Sequence, residues 1–326
     1  MVDYSIQNKA AWEYNAYQFW IKEVGLPEIR AEKIKQNPVG ELKKYAAYFD
    51  CYEGIRIANI CGSCGKKAVP LALLGAKVTV FDISEDNKRY ALELAGAAGT
   101  ELEYVVGDVL KIDINQYGGC FDIVFMEGGI LHYFHDIDVF MQKMHSLLKP
   151  DGKMICSDFH PFTKIQDILK FEQESQADYF STKVFEGEMA HARFFEDTIR
   201  AQMPKCSYRK YTISEIINAV INSSFVLQRF DEHPAWTNPK LPGEFTIIAV
   251  KKECDENRLS AFESMLAAVK KEFADILSKM KKLKAEGKVK TVTYQQLLAR
   301  KMMYQNMLSM YKIYDLDKEI EQEDSF

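Results

Sequence analysis

The most constraining feature of this 326-residue chain is a regular alternation of strand-like and helix-like segments between residues 55 and 160. Five short apolar runs rich in β-branched or aromatic residues recur there: IRIANI, KVTVFD, LEYVVGD, FDIVFME and KMICSDF. The stretches between them have helical spacing, and Ser84 followed by Glu85 and Asp86 marks a helix start, whereas Gly75 marks a helix end. Such alternation predicts a parallel sheet covered by helices on both faces.

The segments on either side extend this picture. Residues 1–50 carry aromatic residues at helical spacing, interrupted at Gly25 and Pro27, and predict two helices that cover the sheet. Residues 162–211 lack strand alternation and predict a helical insert after the fifth strand. The runs FVLQRFDE and EFTIIAVKK then predict an antiparallel pair that closes the sheet. We therefore expect an α/β, Rossmann-like sheet of seven mostly parallel strands.

The composition changes after Lys252, so residues 1–252 are predicted as one domain and residues 253–326 as a helical hairpin. Its first helix carries an apolar stripe and ends at Gly287, and its second helix begins with Thr293 and Gln296 at capping-box spacing. Both helices carry apolar stripes, and two isolated helices can bury only part of that apolar surface against each other. We therefore expect a homodimer formed through this hairpin.

Composition limits the classes of partner. The net charge of −5 gives no overall attraction to nucleic acid or anionic lipid, and nucleic acid is not the expected partner, although the hairpin is locally basic. The first 20 residues lack a signal-peptide pattern, no apolar run is long enough to span a bilayer, and the seven cysteines are widely spread. We expect a cytoplasmic protein with reduced thiols and no membrane partner.

The first predicted strand runs into a turn of small residues and then a helix, in ANICGSCGKKAVPLALLGA. Backbone N–H groups in such a turn point toward the carboxyl edge of the sheet and can hold an anion. The next strand ends at Asp82, where a carboxylate can accept hydrogen bonds from both hydroxyls of a ribose. A tight strand-to-helix turn with a capping aspartate would explain this pair equally well.

Residues 55–160 resemble a class I S-adenosylmethionine-dependent methyltransferase, specifically a bacterial group with a GSNGRKA-like loop and a DFHP-like turn. The resemblance implies S-adenosylmethionine as cofactor, S-adenosylhomocysteine as product and a small-molecule methyl acceptor. It assigns the methionine part of the cofactor to the first loop, namely Asn59, Cys61, Gly62, Ser63 and Gly65.

The same resemblance assigns positions on the next three strands. It implies that Asp82 binds the ribose and that Ile83 contacts the adenine. Asp108, in VVGDVL, would bond to the adenine amino group with Val109 beside the ring. Glu127 and Gly128 follow the fourth strand, where the family closes over the cofactor.

The loop departs from the family pattern of an acidic residue followed by G-x-G-x-G. Asn59 replaces the acid, and Cys61 and Ser63 occupy the first two glycine positions. Cys61 and Cys64 also have the spacing of a metal or redox pair, but no second pair or histidine cluster accompanies them, so no metal is expected.

Two histidines follow the fourth and fifth strands, in MEGGILHYFHD and SDFHPF. His132 and His160 are therefore candidate catalytic bases, together with Glu127; the alternative for each histidine is a structural residue that holds a loop. Tyr14 and Tyr17 are candidate cofactor contacts from the N-terminal helices, against the alternative of core packing.

Three other functions remain open. A nicotinamide-dependent oxidoreductase would favour a G-x-G-x-x-G turn that this chain lacks. An RNA or protein methyltransferase and a noncatalytic cofactor-binding or assembly module are the remaining alternatives. No motif identifies the acceptor, so oxygen, nitrogen, sulfur and carbon acceptors all remain possible.

Overall fold

A computed structural model describes residues 4–162, 178–189, 192–236, 238–252 and 256–314. The chain divides into two compact units, Met1–Glu253 and Cys254–Phe326, close to the boundary predicted after Lys252. Part of the predicted insert (163–177) and the acidic end of the chain (315–326) lie outside the described residues.

The first unit contains a seven-stranded sheet, as predicted. Its strands are β1 (Arg56–Ile60), β2 (Lys77–Asp82), β3 (Glu103–Val106), β4 (Phe121–Glu127), β5 (Leu148–Phe159), β8 (Phe225–Pro234) and β9 (Pro242–Lys251). Their order is β3-β2-β1-β4-β5-β9-β8, in which β1 to β5 pair in parallel and β9 is antiparallel to both β5 and β8. Because the order reverses beside β1, the carboxyl ends of β1 and β4 border the crevice where such sheets bind ligands.

Within the described residues, four α-helices rather than the predicted two precede the sheet: α1 (Tyr4–Glu13), α2 (Ala16–Glu23), α3 (Pro27–Gln36) and α4 (Pro38–Leu42). A 3-10 helix, Lys43–Tyr48, follows them. The prediction of a break at Gly25 is confirmed, since its φ is +103° and Pro27 begins α3. Two further breaks were missed. Asn15 adopts φ +53° between α1 and α2, and the side chain of Asn37 accepts a hydrogen bond from Gly40 at the start of α4.

The remaining helices of the first unit connect or flank the strands. They are α5 (Ala68–Leu73), α6 (Glu85–Ala98), α7 (Ile114–Tyr117), α8 (Ile137–Leu147), α9 (Asp197–Arg200) and α10 (Ile213–Asn222). The predicted cap of α6 is confirmed, because the Ser84 side chain accepts a hydrogen bond from the backbone of Asn87. Apolar side chains cover both faces of the sheet, with Phe140 and Val220 in the core on one face and Leu71 and Tyr45 on the other.

The insert is not wholly helical. Strands β6 (Val184–Gly187) and β7 (Cys206–Arg209) form a separate antiparallel pair in which Phe185 lies opposite Tyr208. Each strand has only four residues, too few for the alternation that identifies a strand in a sequence. Between them the structure has a short 3-10 turn, Ala192–Phe194, and the single turn of α9.

The second unit is the predicted helical hairpin, α11 (Glu256–Ala285) and α12 (Val292–Ile313). Gly287, with φ +70°, lies in the turn, and Ile276, Met280 and Leu297 are buried within the hairpin. The predicted cap at Thr293 is wrong: Thr291 caps α12 by accepting a hydrogen bond from Tyr294, which places Thr293 inside the first helical turn. Within the described ranges, no helix combines the length and apolarity needed to cross a membrane.

Candidate active site

The loop after β1 keeps the backbone shape of a glycine-rich turn although two of its glycine positions carry side chains. Cys61, Ser63 and Gly65 have φ values of +50°, +51° and +77°, in the left-handed region that favours glycine. A non-glycine residue in this region costs about 1–3 kcal/mol and persists where the surrounding structure enforces it. The side chains at Cys61 and Ser63 are therefore compatible with the backbone shape of a glycine-rich turn.

The two remaining loop glycines allow close packing. A Cβ atom at Gly62 would overlap the Asn59 side chain and Val80. A Cβ atom at Gly65 would lie 3.0 Å from Cβ of Ala91, on α6. The loop consequently lies directly against β2 and the helix that follows it, which brings its backbone close to the end of β2.

Asp82, at the end of β2, is buried and accepts three hydrogen bonds. Its Oδ2 accepts from the Ser63 backbone N–H at 3.0 Å, and its Oδ1 accepts from Ser84 N at 3.1 Å and Asn87 Nδ2 at 3.0 Å. Burial raises the pKa of Asp82, and these hydrogen bonds oppose that shift. Its two oxygens still have lone pairs for a ribose.

Asp108 and Val109 lie just beyond β3. The Asp108 Oδ1 accepts a hydrogen bond from Leu110 N at 3.0 Å, and Val109 is buried. Burial raises the pKa of the Cys61 thiol well above its usual value, and the negative charges of Asp82, Asp108 and Asp158 raise it further. The structure therefore brings the ends of β1, β2, β3 and β5 together around Cys61, which stays a neutral thiol.

Two buried polar atoms of the loop, Asn59 Oδ1 and Ser63 Oγ, have no hydrogen-bond partner among the residues that the structure describes. Asn59 uses only its Nδ2, which donates to the Phe125 carbonyl at 3.3 Å. A buried unpaired acceptor is costly, so such atoms at a binding loop indicate groups that a ligand completes. Amine and carboxylate groups such as those of a bound methionine moiety fit these atoms and the loop N–H groups.

A cavity of about 410 Å³ lies at the same edge of the sheet. Its lining comes from the ends of β4 and β5, from the insert and from α10: Leu131, His132, Tyr133, Asp158, Phe159, Pro161, Glu188, Tyr208, Lys210, Tyr211 and Ile216. Five of these eleven residues carry aromatic rings. A cavity of this size is typical of sites for small organic molecules.

Asp158 joins the cavity to the loop. It is buried and accepts hydrogen bonds from Ile130 N and Leu131 N, both at 2.8 Å, and from its neighbour Phe159 N. Burial raises its pKa to about 6, and its charge raises the pKa of both Cys61 and Tyr133. Asp158 thus holds the segment after β4 that presents His132 and Tyr133.

His132 lines the cavity, as expected of a candidate base. Its ring lies 4.1 Å from that of Tyr133 and stacks at 16° to that of Phe159, with centroids 6.5 Å apart. Burial, and then the positive charge of Lys210, lower its pKa to about 4. The imidazole is therefore neutral near pH 7 and can accept a proton.

The other two candidate catalytic residues do not line this cavity. The His160 Nδ1 accepts from Phe162 N at 3.1 Å, and its Nε2 lies 3.0 Å from Oε1 of Glu232. With both nitrogens engaged, His160 fits the structural alternative. The charge of Glu127 acts on Tyr45, whose pKa is raised by burial first and by Glu127 second.

The N-terminal helices contact α6 and the wall of the cavity. The backbone N–H of Tyr17 donates to Asp86 and its hydroxyl donates to Glu93, both on α6, while the backbone N–H of Tyr14 donates to the Ala11 carbonyl. Side chains of α1 make the closer contacts. The Glu13 carboxylate accepts two backbone N–H groups at the start of α6 at 3.0 Å, and the Trp12 ring meets that of Tyr133 edge-on.

Asn8 fastens α1 to the wall of the cavity. Its Oδ1 accepts from Ser207 N at 2.8 Å, and its Nδ2 donates to Ser207 O at 3.1 Å, in the strand that also carries Tyr208. No local pattern marked this residue, because its partner lies 199 positions away. Lys210 and Tyr208 were missed for a related reason, since they belong to the insert whose strands were not predicted.

Cys61 and Cys64, which have the spacing of a metal or redox pair, are both free thiols. Cys64 is buried and burial raises its pKa to about 11. In the part of the chain that the structure describes, no group of three or more His, Cys, Asp or Glu side chains could hold a metal ion. The pair fits the small loop residues that the turn requires.

Known proteins resemble the central part of this chain. Residues 60–156 match the family described as a methyltransferase domain. Two curated relatives are ubiquinone biosynthesis O-methyltransferases: that of Bradyrhizobium diazoefficiens is 28% identical over 40% of this chain and 49% of its own length, and that of Maricaulis maris is 33% identical over 35% and 44%. The chain thus spans about half the length of these relatives.

Among solved structures, an S-adenosylmethionine-dependent methyltransferase from Mesorhizobium loti is 19% identical with a TM-score of 0.48, covering 66% of this chain and 99% of that protein. Magnesium protoporphyrin IX methyltransferase from Synechocystis, solved with bound S-adenosylhomocysteine, is 15% identical with a TM-score of 0.47, covering 77% and 100%. The residues that match the methyltransferase-domain family, 60–156, run from the end of β1 into β5 and include the loop after β1, Asp82 and Asp108.

Proposed function

We propose that this chain binds S-adenosylmethionine at the carboxyl edge of its sheet and transfers the methyl group to a small molecule held in the aromatic cavity. The observation that carries this proposal is that one residue, Asp158, belongs to the cavity and also acts on the loop. Asp158 lines the cavity and acts electrostatically on Cys61, in the loop that would hold the cofactor. An acceptor in the cavity would therefore lie next to the reactive part of the cofactor.

The residues assigned to the cofactor would each contact a different chemical part of it. Asn59, Ser63 and the loop N–H groups would hold its methionine part, for which the two unpaired oxygens are suited. Asp82 would accept the ribose hydroxyls, and Asp108 the adenine amino group. When bound, S-adenosylmethionine supplies a methyl group on a sulfonium that an acceptor attacks in line.

The cavity would position the acceptor and exclude water. His132, neutral near pH 7, would take the proton of the acceptor, and the rings around it would fix the acceptor's orientation. The names of the curated relatives favour an oxygen acceptor. Most residues that line the cavity, from Asp158 to Ile216 in the sequence, lie outside the family match at 60–156. This chain would therefore have its own acceptor specificity.

We further propose a cytoplasmic homodimer. All six cysteines within the described residues are free thiols, which fits a reducing compartment. On the hairpin, Met302, Met303 and Met310 are more than half exposed, and such a flexible apolar surface is suited to pairing with a second copy.

Transfer of an isotopically labelled methyl group tests the enzymatic function. The purified full chain, labelled S-adenosylmethionine and a panel of small phenols, amines and thiols should give labelled product with at least one class of acceptor. His132→Ala should lower turnover much more than cofactor affinity, whereas His145→Gln, on α8 and away from the cavity, should change neither. Tight cofactor binding without transfer to any acceptor would favour a noncatalytic binding module.

A further inference from the structure

The cavity contains one charged group that no described residue neutralises. Three charged side chains line it, Asp158, Glu188 and Lys210. Asp158 is held by three backbone N–H groups, and Glu188 accepts from Arg200 Nε at 2.8 Å. Lys210 makes no hydrogen bond or ion pair with any described residue. A half-buried ammonium group without a partner favours an anion in the same cavity.

The walls favour a flat ligand. The His132 and Phe159 rings are nearly parallel, and the Tyr208 ring stands at 87° to His132 with centroids 6.0 Å apart. The hydroxyl of Tyr211 is already used, because it donates to the Phe134 carbonyl at 2.5 Å. These surfaces supply apolar contact and ring stacking and place few competing polar groups toward the ligand.

We propose that Lys210 selects the acceptor, and that the acceptor is a planar aromatic molecule with an ionisable hydroxyl whose oxygen lies beside Lys210 and His132. This inference rests on the proposed function. A protonated amine would meet the uncompensated charge of Lys210 and be rejected, whereas a phenolate oxygen would neutralise it. Lys210 therefore determines specificity and stabilises the nucleophile.

The chemical step balances with the groups named. The hydroxyl proton passes to His132 and later to water, the acceptor oxygen forms a bond to the methyl carbon, and the carbon–sulfur bond breaks with its electron pair moving to sulfur. An ether and a thioether result. Since Lys210 lowers the pKa of His132, a negative oxygen beside Lys210 offsets that effect and makes His132 a better proton acceptor as the acceptor ionises.

The test measures ionisation of a bound phenol rather than catalysis. The full chain is titrated with para-nitrophenol in the absence of S-adenosylmethionine, and the absorbance of the phenolate is followed against pH. Wild-type protein should lower the pKa of the bound dye below that of the free dye. Lys210→Met should abolish this shift and weaken binding of the phenolate about tenfold, as expected for loss of one charge-assisted contact.

Two control variants show whether the effect is specific to the charge at position 210. Lys210→Arg should restore most of the shift, whereas Lys205→Met, at an exposed lysine of the same segment that does not line the cavity, should behave as wild type. Equal dye pKa and affinity in wild type and Lys210→Met, or absence of dye binding to the wild type, would overturn the proposal. Displacement of the dye by benzoate as readily as by unlabelled phenols would also overturn it, in favour of a carboxylate acceptor.

The two proposals fail in different ways. Dye binding that depends on Lys210, together with no binding of S-adenosylmethionine, would leave the anion-selective cavity standing and remove the methyltransferase function. Binding of S-adenosylmethionine, together with equal dye binding by wild type and Lys210→Met, would support the cofactor site and remove the anion-selective cavity.

Discussion

The backbone N–H of Ser63 donates a 3.0 Å hydrogen bond to Oδ2 of Asp82, which ties the loop after β1 to the carboxylate that ends β2. The bond makes the two parts of the predicted cofactor site a single unit. Ser63 has a φ of +51°, in the left-handed region that favours glycine. Its hydroxyl is buried with no hydrogen-bond partner among the described residues. Both features cost stability in the free protein.

Ser63→Gly should therefore stabilise the free protein and weaken cofactor binding. Glycine removes both the backbone strain and the unpaired hydroxyl, and after its own entropic cost we expect a gain of about 1 kcal/mol in the free energy of unfolding. Denaturant unfolding with and without S-adenosylmethionine measures both effects. Ser63→Ala keeps the strain and should gain less. A less stable Ser63→Gly protein would show that the turn is not strained.

His132 should make the protein sensitive to acid. Its pKa lies below the ordinary value of 6.5, at about 4, so the stability it contributes is complete above pH 6.5 and is lost as the pH falls toward 4. This difference corresponds to about 3 kcal/mol. Denaturant unfolding of His132→Gln at several pH values should show a correspondingly smaller loss between pH 6.5 and 4. The same loss in the variant and the wild type would show that His132 is not buried as described.

Asn8→Ala should loosen the acceptor side of the site. The change leaves the backbone N–H and C=O of Ser207 without their partner, and each unpaired buried group costs about 1–3 kcal/mol. We expect lower stability and a higher KM for the acceptor, with a smaller change in cofactor affinity. Gln7→Ala, which removes an exposed contact to Glu186, is the control and should alter neither value. Equal effects of the two variants would argue against this role of α1.

Truncation after Lys252 should convert a dimer into a monomer, because it removes the exposed methionine-rich surface of the hairpin. Light scattering of both proteins at micromolar concentration measures the change. In the full chain, Met303→Glu should weaken the dimer by placing a charge in its apolar interface. An intact protein that is already monomeric, or a truncated protein that is still dimeric, would exclude the hairpin as the interface.

The sequence predicted the sheet well because its strands are short apolar runs between clear turn residues. Asp82 was placed by its position at the end of such a run, whereas Asp108 was assigned by the family resemblance. Contacts between residues that are distant in the chain could not be inferred from such local patterns. Asn8 meets Ser207, and the wall containing Lys210 depends on β6 and β7, whose four-residue strands give no periodic signal. Tyr17 was predicted from its residue type alone, and its hydroxyl donates a hydrogen bond to Glu93.

Calorimetric titration of the full chain with S-adenosylmethionine and S-adenosylhomocysteine tests the central claim most directly. We expect one binding site per chain and a loss of about 2 kcal/mol in Asp82→Ala, because charge-assisted hydrogen bonds to the ribose disappear. Asp82→Asn should lose less, and Asp122→Asn, at the opposite end of the sheet, should bind as wild type. Absence of binding to the folded wild type, or unchanged affinity in folded Asp82→Ala, would contradict the assignment of this site to the cofactor.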